Sequence, residues 1–387
     1  AVPNYDKFFD SAGIRKSRQL IAMHSLSTTH NRSQLIAHAR ELVIDGRLDV
    51  PTDIDPWLTR SWKQCSDIGM RPNDVVELEP LSHSQVIAVT DQSHQLISAA
   101  RPAMRDLSVA VGDARYFVVL TDSKGVAVEV GGEAISHDKR AQTIARVGVD
   151  LSKNVAGTSA ISGALAEMQP VWVHGSEHFF DVFSVLSCAG APIIGPHGLC
   201  VGMLNLTGIE IPERAGLKHM VAHYVQRIEN TMTINCPHAL LLHLTWPGQM
   251  PGGDADGLVA LDHDGYVMGA NSSAWKMIAQ TPRGERIHAN DLFAESSDTL
   301  FDLSSRFDNR TNIATWCGMQ LCVTAFRAGQ RPHFSPVASS SGGAKQPRLR
   351  DMEAVMIKQA VAEAKGNVAV AAKRLGVSRA TLYRKLS

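Results

Sequence analysis

Breaking and capping residues divide the C-terminal end of the chain into three short helices. Gly366 suits a positive φ and Asn367 suits the start of a helix, so the first helix ends there and the second begins. Ser378 caps the third helix. The predicted helices and the breaks between them are, in order, Met352–Ala364, Lys365–Asn367, Val368–Leu375, Gly376-Val377 and Arg379–Leu386. Two helices joined by so tight a turn are typical of a helix-turn-helix, whose second helix enters the major groove of DNA.

The outer face of the last predicted helix is polar and basic, because Leu382 and Leu386 point inward at helical spacing. The residues predicted to bind DNA are Ser378, Arg379, Thr381, Tyr383, Arg384 and Lys385. Arg379 and Thr381 lie near the helix start, where side chains reach base edges or phosphates, whereas Arg384 fits a phosphate contact one turn later. The alternative is a three-helix cap with a solvated basic face.

The charge of the chain is unevenly distributed. The whole sequence has 38 Lys and Arg against 38 Asp and Glu, which would argue against a nucleic-acid partner. Residues 345–387, however, carry a net charge of +7, and the other 344 residues carry −7. A basic segment joined to an acidic body indicates a polyanionic partner for the segment, although a solvated basic tail has the same composition.

The stretch NVAVAAKRLGVSRATLYRKL, residues 367–386, resembles the Fis-type helix-turn-helix that ends many bacterial enhancer-binding transcription regulators. Such modules act as dimers on palindromic sites, so the resemblance implies a homodimer and a palindromic DNA operator. Tyr383 occupies a position that is often basic or polar in that family. At this position the sequence therefore departs from the family's pattern for base recognition.

The rest of the chain changes from helical to strand periodicity near Arg115. Apolar spacing predicts helices over 34–44, 85–111 and 215–232, with Pro102 marking a kink or a boundary. Turn residues between β-rich runs predict hairpins around 122–125, 195–198 and 262–265, and residues 170–174 and 311–327 are further strand candidates. Asn271 or Ser272 is a candidate N-cap of the helix over 271–279.

Several body segments resemble acetoin-catabolism-type regulators. They are SWKQC at 61–65, GTSAISGAL at 157–165, HGSEHF at 174–179 and CAGAPI at 188–193, the later ones similar to GAF-domain signatures; residues 265–271 resemble the opening of a PAS domain. The resemblance implies an α+β multidomain protein with a GAF-like sensor domain, a PAS-like domain and a small all-α Fis-type helix-turn-helix. The predicted boundaries are 1–84 for an N-terminal helical region, 85–232 GAF-like, 233–330 PAS-like, 331–347 a flexible linker and 348–387 the helix-turn-helix.

One feature of typical members is missing. They carry a central AAA+ ATPase that remodels sigma-54 polymerase, but no GxxxxGK[ST] phosphate loop occurs in these 387 residues. We therefore expect a ligand-responsive regulator that works without ATP hydrolysis, by occupancy or by contact with RNA polymerase. The alternative is a co-regulator that binds a partner protein, with the helix-turn-helix used mainly for dimerisation.

Aromatic and soft side chains crowd one segment of the GAF-like region and are candidates for a small-molecule pocket. They are Trp172, His178, Phe179, Phe180, Phe183 and Cys188. Each of them could equally fill the core, and Cys188 could be a redox sensor. The resemblance implies a small alcohol, ketone or aromatic catabolite as effector.

No nucleophile, base and orienting group occur together, so we expect no enzyme activity and no cofactor. His219 and His223 stand four residues apart without an acidic third ligand, so we expect two solvated histidines and no metal. The chain lacks a long apolar run, which predicts no membrane partner, and six irregularly placed cysteines favour the reducing cytoplasm.

Overall fold

The computed structural model describes residues 32–47, 54–111, 115–279, 286–306 and 309–329. The predicted linker and helix-turn-helix lie outside these residues. The described part combines helices with two five-stranded sheets, in agreement with the predicted mixture of helix and strand.

The first sheet is antiparallel throughout, with the strand order β2-β1-β5-β4-β3. Its strands are β1 Tyr116–Asp122, β2 Ala127–Gly131, β3 Val171–His174, β4 Leu186–Ile194 and β5 Cys200–Ile209. The predicted hairpin turn between β1 and β2 is confirmed: Asp122 Oδ1 accepts the backbone N–H groups of Lys124 and Val126, both at 2.9 Å. Gly125 adopts a φ of +93°, which glycine allows at little cost.

Helices precede, interrupt and follow the first sheet. They are α1 (residues 32–44), α2 Pro56–Asp67, α3 His83–Gln92, α4 His94–Val111, α5 Ala134–His137, α6 Lys139–Ile144, α7 Lys153–Ala156, α8 Ala160–Glu167 and α9 Leu217–Ile234. Two 3-10 turns, Gly175–Glu177 and Asp181–Phe183, lie in the loop between β3 and β4.

The first sheet has a core on each face, because successive side chains of a strand point to opposite sides. On β5, Leu204 and Leu206 pack with α4 and α9, whereas Met203 and Ile209 belong to a core built with α1, α2 and α8. The helices before residue 85 are thus part of the same packed body as the sheet. Burial on both faces explains why β4 and β5 are almost continuously apolar or small rather than alternating.

The second sheet is also antiparallel and has the order β8-β7-β6-β10-β9. Its strands are β6 Leu240–Thr245, β7 Gly257–Leu261, β8 Val267–Ala270, β9 Arg310–Ala314 and β10 Gln320–Arg327. Helices α10 Ser272–Ile278, α11 Ala289–Leu292 and α12 Ser297–Leu303 contribute to its single core. The predicted closure of this sheet by residues 311–327 is confirmed.

The N-cap of α10 is Asn271, one of the two residues predicted for that position; the other was Ser272. Its Oδ1 accepts from Ala274 N at 2.8 Å and from Leu258 N at 2.9 Å, and its Nδ2 donates to Asp256 O at 2.8 Å. A cap that binds both its own helix and the neighbouring strand fixes where α10 begins.

The structure differs from the sequence-based predictions at two points. Of the two alternatives at Pro102, a kink or a boundary, the boundary is wrong: helix α4 continues through Pro102, and the predicted helix over 85–111 is divided at Ser93 between α3 and α4 instead. Pro102 is exposed, while the turns on both sides bury Leu96, Met104 and Leu107 against the sheet. That packing outweighs the lost backbone hydrogen bond. Central strand β6 was not predicted, because its sequence LLLHLT does not alternate.

Candidate functional site

A small cavity of about 40 Å³, lined mostly by buried residues, lies beside the first sheet, on the face that carries α8. Its lining is apolar or neutral, with no charged side chain: Ile144, Leu151, Ala156, Ser159, Ala160, Ile161, His178, Phe183, Leu186, Cys188, Asn205 and Thr207. The strand side is supplied by β4 and β5, and the other side by α6, α8 and the loop between β3 and β4. Small-molecule sites usually have this composition, an apolar lining with a few polar groups.

The loop between β3 and β4 is held over the cavity by two buried side chains from the N-terminal helices. Arg40 on α1 is only 7% exposed, and its Nη1 donates to the carbonyls of His178 and Phe179 at 2.8 and 2.9 Å. Its Nη2 pairs with Asp181 at 2.5 Å. Trp62 on α2 donates its indole N–H to the Glu177 carbonyl at 2.8 Å. These bonds satisfy loop carbonyls that burial would otherwise leave unpaired.

His178 is fully buried, and burial lowers its pKa to about 4. The ring is therefore neutral near pH 7 and carries one proton. Its Nδ1 lies 3.0 Å from the carbonyl of Gly175, which can only accept, so the proton is on Nδ1. The Nε2 atom is then an acceptor, and it is buried without a hydrogen-bond partner.

Asn205 and Thr207 lie on the same face of β5, two residues apart. The Asn205 amide donates to Thr207 Oγ1 at 2.7 Å, and Asn205 Oδ1 is buried without a partner. The cavity lining thus holds a second unpaired acceptor. Buried polar atoms are rarely left unpaired, so two in one enclosure point to a missing donor.

Cys188 on β4 lies 3.4 Å from Thr207 Oγ1 and is buried. Burial raises the pKa of its thiol to about 12, with the Thr207 contact opposing that shift. The thiolate is the reactive form of cysteine, so this side chain is an inert neutral group near pH 7. The burial of the thiol therefore favours Cys188 as a residue that lines the cavity, and argues against the redox sensor considered in the sequence analysis.

The six predicted pocket residues fall into three groups. His178, Phe183 and Cys188 line the cavity. Phe179 and Phe180 are buried in the same core but do not line it. Trp172 packs against the core on the opposite face of the sheet. Its ring lies 5.5 Å from the Arg32 guanidinium carbon in a separate groove of about 680 Å³.

Sequence reasoning missed Asn205, Thr207 and Arg40. A signal for the first two exists, because Met203 to Thr207 place polar side chains two apart in an otherwise apolar strand. Two polar residues on one face of a central strand predict a polar spot in the core. Arg40 carries no such signal, since its partners are backbone carbonyls about 140 residues away in sequence.

The predicted DNA-binding residues Ser378, Arg379, Thr381, Tyr383, Arg384 and Lys385 all lie outside the described residues. Within the described ranges there is no group of three metal-ligating side chains, and none of the helices is long and apolar enough to cross a bilayer. Of the two histidines on α9, His223 is 3.5 Å from Asp254.

Helix α9 connects the two sheets. Its apolar face, with Val221, Val225 and Ile228, packs on the first sheet. Its polar face meets the start of α10: Gln226 donates to Ser273 Oγ at 2.6 Å, and Asn230 accepts from the Asn271 amide at 2.7 Å. The α9–α10 junction is therefore a set of specific polar contacts rather than an apolar seam.

Glu229, between those two residues, ties the junction to β4. Its carboxylate accepts the Ile194 backbone N–H at 2.8 Å and also bonds Ser272. The side chain is 5% exposed, and burial raises its pKa. Since β4 also carries Cys188, one strand runs from the cavity lining to the α9–α10 junction.

Comparison with known protein families accounts for both ends of the chain. Residues 348–387 match the bacterial regulatory protein model of the Fis family, and residues 35–215 match the model of the MimR N-terminal domain. The chain combines a MimR N-terminal domain with a Fis-family helix-turn-helix. The cavity, the Arg40 contacts and the whole first sheet lie within the MimR N-terminal domain.

Two relatives of the chain are transcription regulators by name. The acetoin catabolism regulatory protein of Cupriavidus necator is 28% identical over 254 residues, 64% of this chain and 38% of that protein. The propane 2-monooxygenase operon transcriptional activator MimR of Mycolicibacterium goodii is 31% identical over 175 residues, 44% of this chain and 28% of that protein. This chain thus covers well under half of either relative.

Among solved structures, the Escherichia coli DhaR(N)–DhaL complex aligns with a TM-score of 0.44 at 11% identity, covering 70% of this chain and 99% of that chain.

The buried neutral His178 predicts a specific loss of stability in acid. In the unfolded chain the ring titrates near 6.5 and in the folded chain near 4. Its contribution is therefore complete above pH 6.5 and lost as the pH falls toward 4. Between pH 7 and pH 5, urea denaturation should show a drop in unfolding free energy about 2 kcal/mol larger than for His178→Asn, which cannot titrate. Equal drops in both proteins would contradict the burial of a neutral ring.

Proposed function

We propose that this protein is a DNA-binding transcription regulator in which the MimR N-terminal domain binds a small molecule in the His178 cavity. The observation that carries the proposal is the pairing, in one chain, of a Fis-family match with a cavity whose lining holds two buried, unpaired acceptors. The relatives support it, since they are transcription regulators for catabolic genes by name.

The DNA-binding part of the proposal rests on the Fis-family match. The basic residues of this segment complement the negative charge of DNA. Arg379 and Thr381 would reach base edges, and Arg384 and Lys385 would bind phosphates. A homodimer would present two such helices to the two halves of a palindromic operator. We place its action in operator occupancy or polymerase contact, because no phosphate loop for ATP lies between the two family matches.

Ligand binding would be transmitted to the second sheet through β4, because this strand lines the cavity at Cys188 and reaches α9 at Ile194. A ligand beside Cys188 would shift β4 or β5, and Ile194 at the end of β4 is held by Glu229 of α9. The polar face of α9 would then displace the start of α10 through Gln226 and Asn230. A backbone hydrogen bond of 2.8 Å from Ala270 N to Pro196 O, in the β4–β5 turn, offers a second connection. A ligand shifts such an equilibrium only as far as it binds the two arrangements differently.

The binding of DNA is tested by charge removal in the last helix. Arg379→Ala and Arg384→Ala should each weaken operator binding by roughly tenfold or more, because each removes a contact worth about 1–3 kcal/mol. The affinity of the unaltered protein should fall steeply with salt, since phosphate contacts release counterions. Gel shifts on the DNA upstream of the gene provide the measurement.

Lys358→Ala is the matched control, because it removes one positive charge from the first helix of the same module. Unchanged affinity of both arginine variants would contradict the assigned face. Failure of the unaltered chain to bind DNA alone would favour the co-regulator alternative. DNA-stimulated ATP hydrolysis would contradict action without ATP.

The α9–α10 junction is tested by loosening it. In the unaltered protein the two sheets should unfold in one calorimetric transition, because the junction couples them. Gln226→Ala combined with Asn230→Ala should separate that transition into two. Arg227→Ala is the control, since its guanidinium binds Asp106 on α4 at 2.6 Å and not α10. Two transitions already present in the unaltered protein would show that the junction is too weak to relay a signal.

A further inference from the structure

The polar atoms left unpaired around the cavity are both hydrogen-bond acceptors. His178 Nε2 is an acceptor because Gly175 fixes the ring proton on Nδ1. Asn205 Oδ1 is an acceptor because the amide nitrogen is already used on Thr207. An unpaired acceptor is satisfied only by a donor, so a molecule bound here must bring O–H or N–H groups.

The lining also restricts charge. None of its side chains is ionised near pH 7, because His178 is neutral with a pKa of about 4 and the pKa of the Cys188 thiol is raised to about 12. An ion moved from water into this buried lining would find no side chain of opposite charge. The occupant must therefore be neutral.

The size of the cavity restricts the occupant further. Its volume of about 40 Å³ is roughly three times the minimum that one water molecule requires. That space fits a molecule of about four heavy atoms. An aromatic ring would fit only if the β3–β4 loop, which carries Phe183, moved away from the sheet. The Arg40 and Trp62 bonds hold that loop in place.

We infer that the His178–Asn205 cavity selects a small neutral molecule by its hydroxyl hydrogens, and so binds an aliphatic alcohol in preference to the ketone of the same shape. This inference rests on the proposed sensing function and narrows its ligand class. An alcohol oxygen donates its proton to His178 Nε2 or Asn205 Oδ1. A ketone has no proton to donate, so it would leave both acceptors unpaired.

The probes for the test are 2-propanol and acetone, which share four heavy atoms and differ in whether the oxygen carries a proton. The full chain is titrated with each, and binding is followed by the ¹⁵N signal of His178 Nε2, which shifts when that atom accepts a hydrogen bond. We expect saturable binding of 2-propanol, at least tenfold tighter than that of acetone.

Two variants test whether the preference for 2-propanol depends on His178 Nε2. In His178→Asn, an amide N–H replaces Nδ1 as the donor to Gly175 while no atom remains at Nε2, so the tenfold preference should shrink or disappear. Binding to this variant is followed by the rise in thermal unfolding temperature with probe concentration. In the control, Ile161→Val, the lining loses one methylene and no polar atom, so the preference should persist.

The outcomes separate this inference from the proposed function. Acetone binding as tightly as 2-propanol would overturn the donor rule and leave small-molecule sensing intact. No saturable binding of either probe, with the Nε2 signal unchanged, would overturn the ligand class. Operator binding by the same protein preparation, measured by gel shift, tests the DNA-binding function independently of both.

Discussion

The contacts of Arg40 with the backbone of the β3–β4 loop are the interaction on which the cavity depends. A buried guanidinium that binds two loop carbonyls fixes the loop over the sheet. The loop in turn places the Gly175 carbonyl against His178 Nδ1, and that hydrogen bond leaves Nε2 as the acceptor of the ring. The selectivity of the site thus begins in α1, far from the cavity in sequence, and passes through backbone atoms.

The second organising element is α9, which has a different partner on each face. Its apolar face belongs to the core of the first sheet, and its polar face holds the start of α10 in the second sheet. Glu229 links both to β4. Polar contacts suit a relay, because hydrogen bonds are directional and a small shift of one partner weakens or breaks them.

Local rules predicted much of the fold. The hairpins follow from turn residues such as Asp122 and Gly125, and the start of α10 follows from the capping side chain of Asn271. The same rules failed where packing dominates: α4 runs through Pro102, and β6 is buried on both faces and so lacks alternation. Three of the six pocket residues could be found from their chemistry. Arg40 could not be found, because its partners are backbone carbonyls about 140 residues away in sequence. Asn205 and Thr207 left a signal that was not used, the two-residue spacing of polar side chains on β5.

Hydrogen exchange of the full chain, with and without 2-propanol, tests most directly whether filling the cavity reaches the second sheet. We expect slower amide exchange in β4 and β5, and changed exchange in residues 226–234 and 271–278 in the same experiment. The effect should be weaker in His178→Asn at the same concentration of 2-propanol. Protection confined to β4 and β5, with the start of α10 unaffected, would contradict the claim that the cavity and the α9–α10 junction act together.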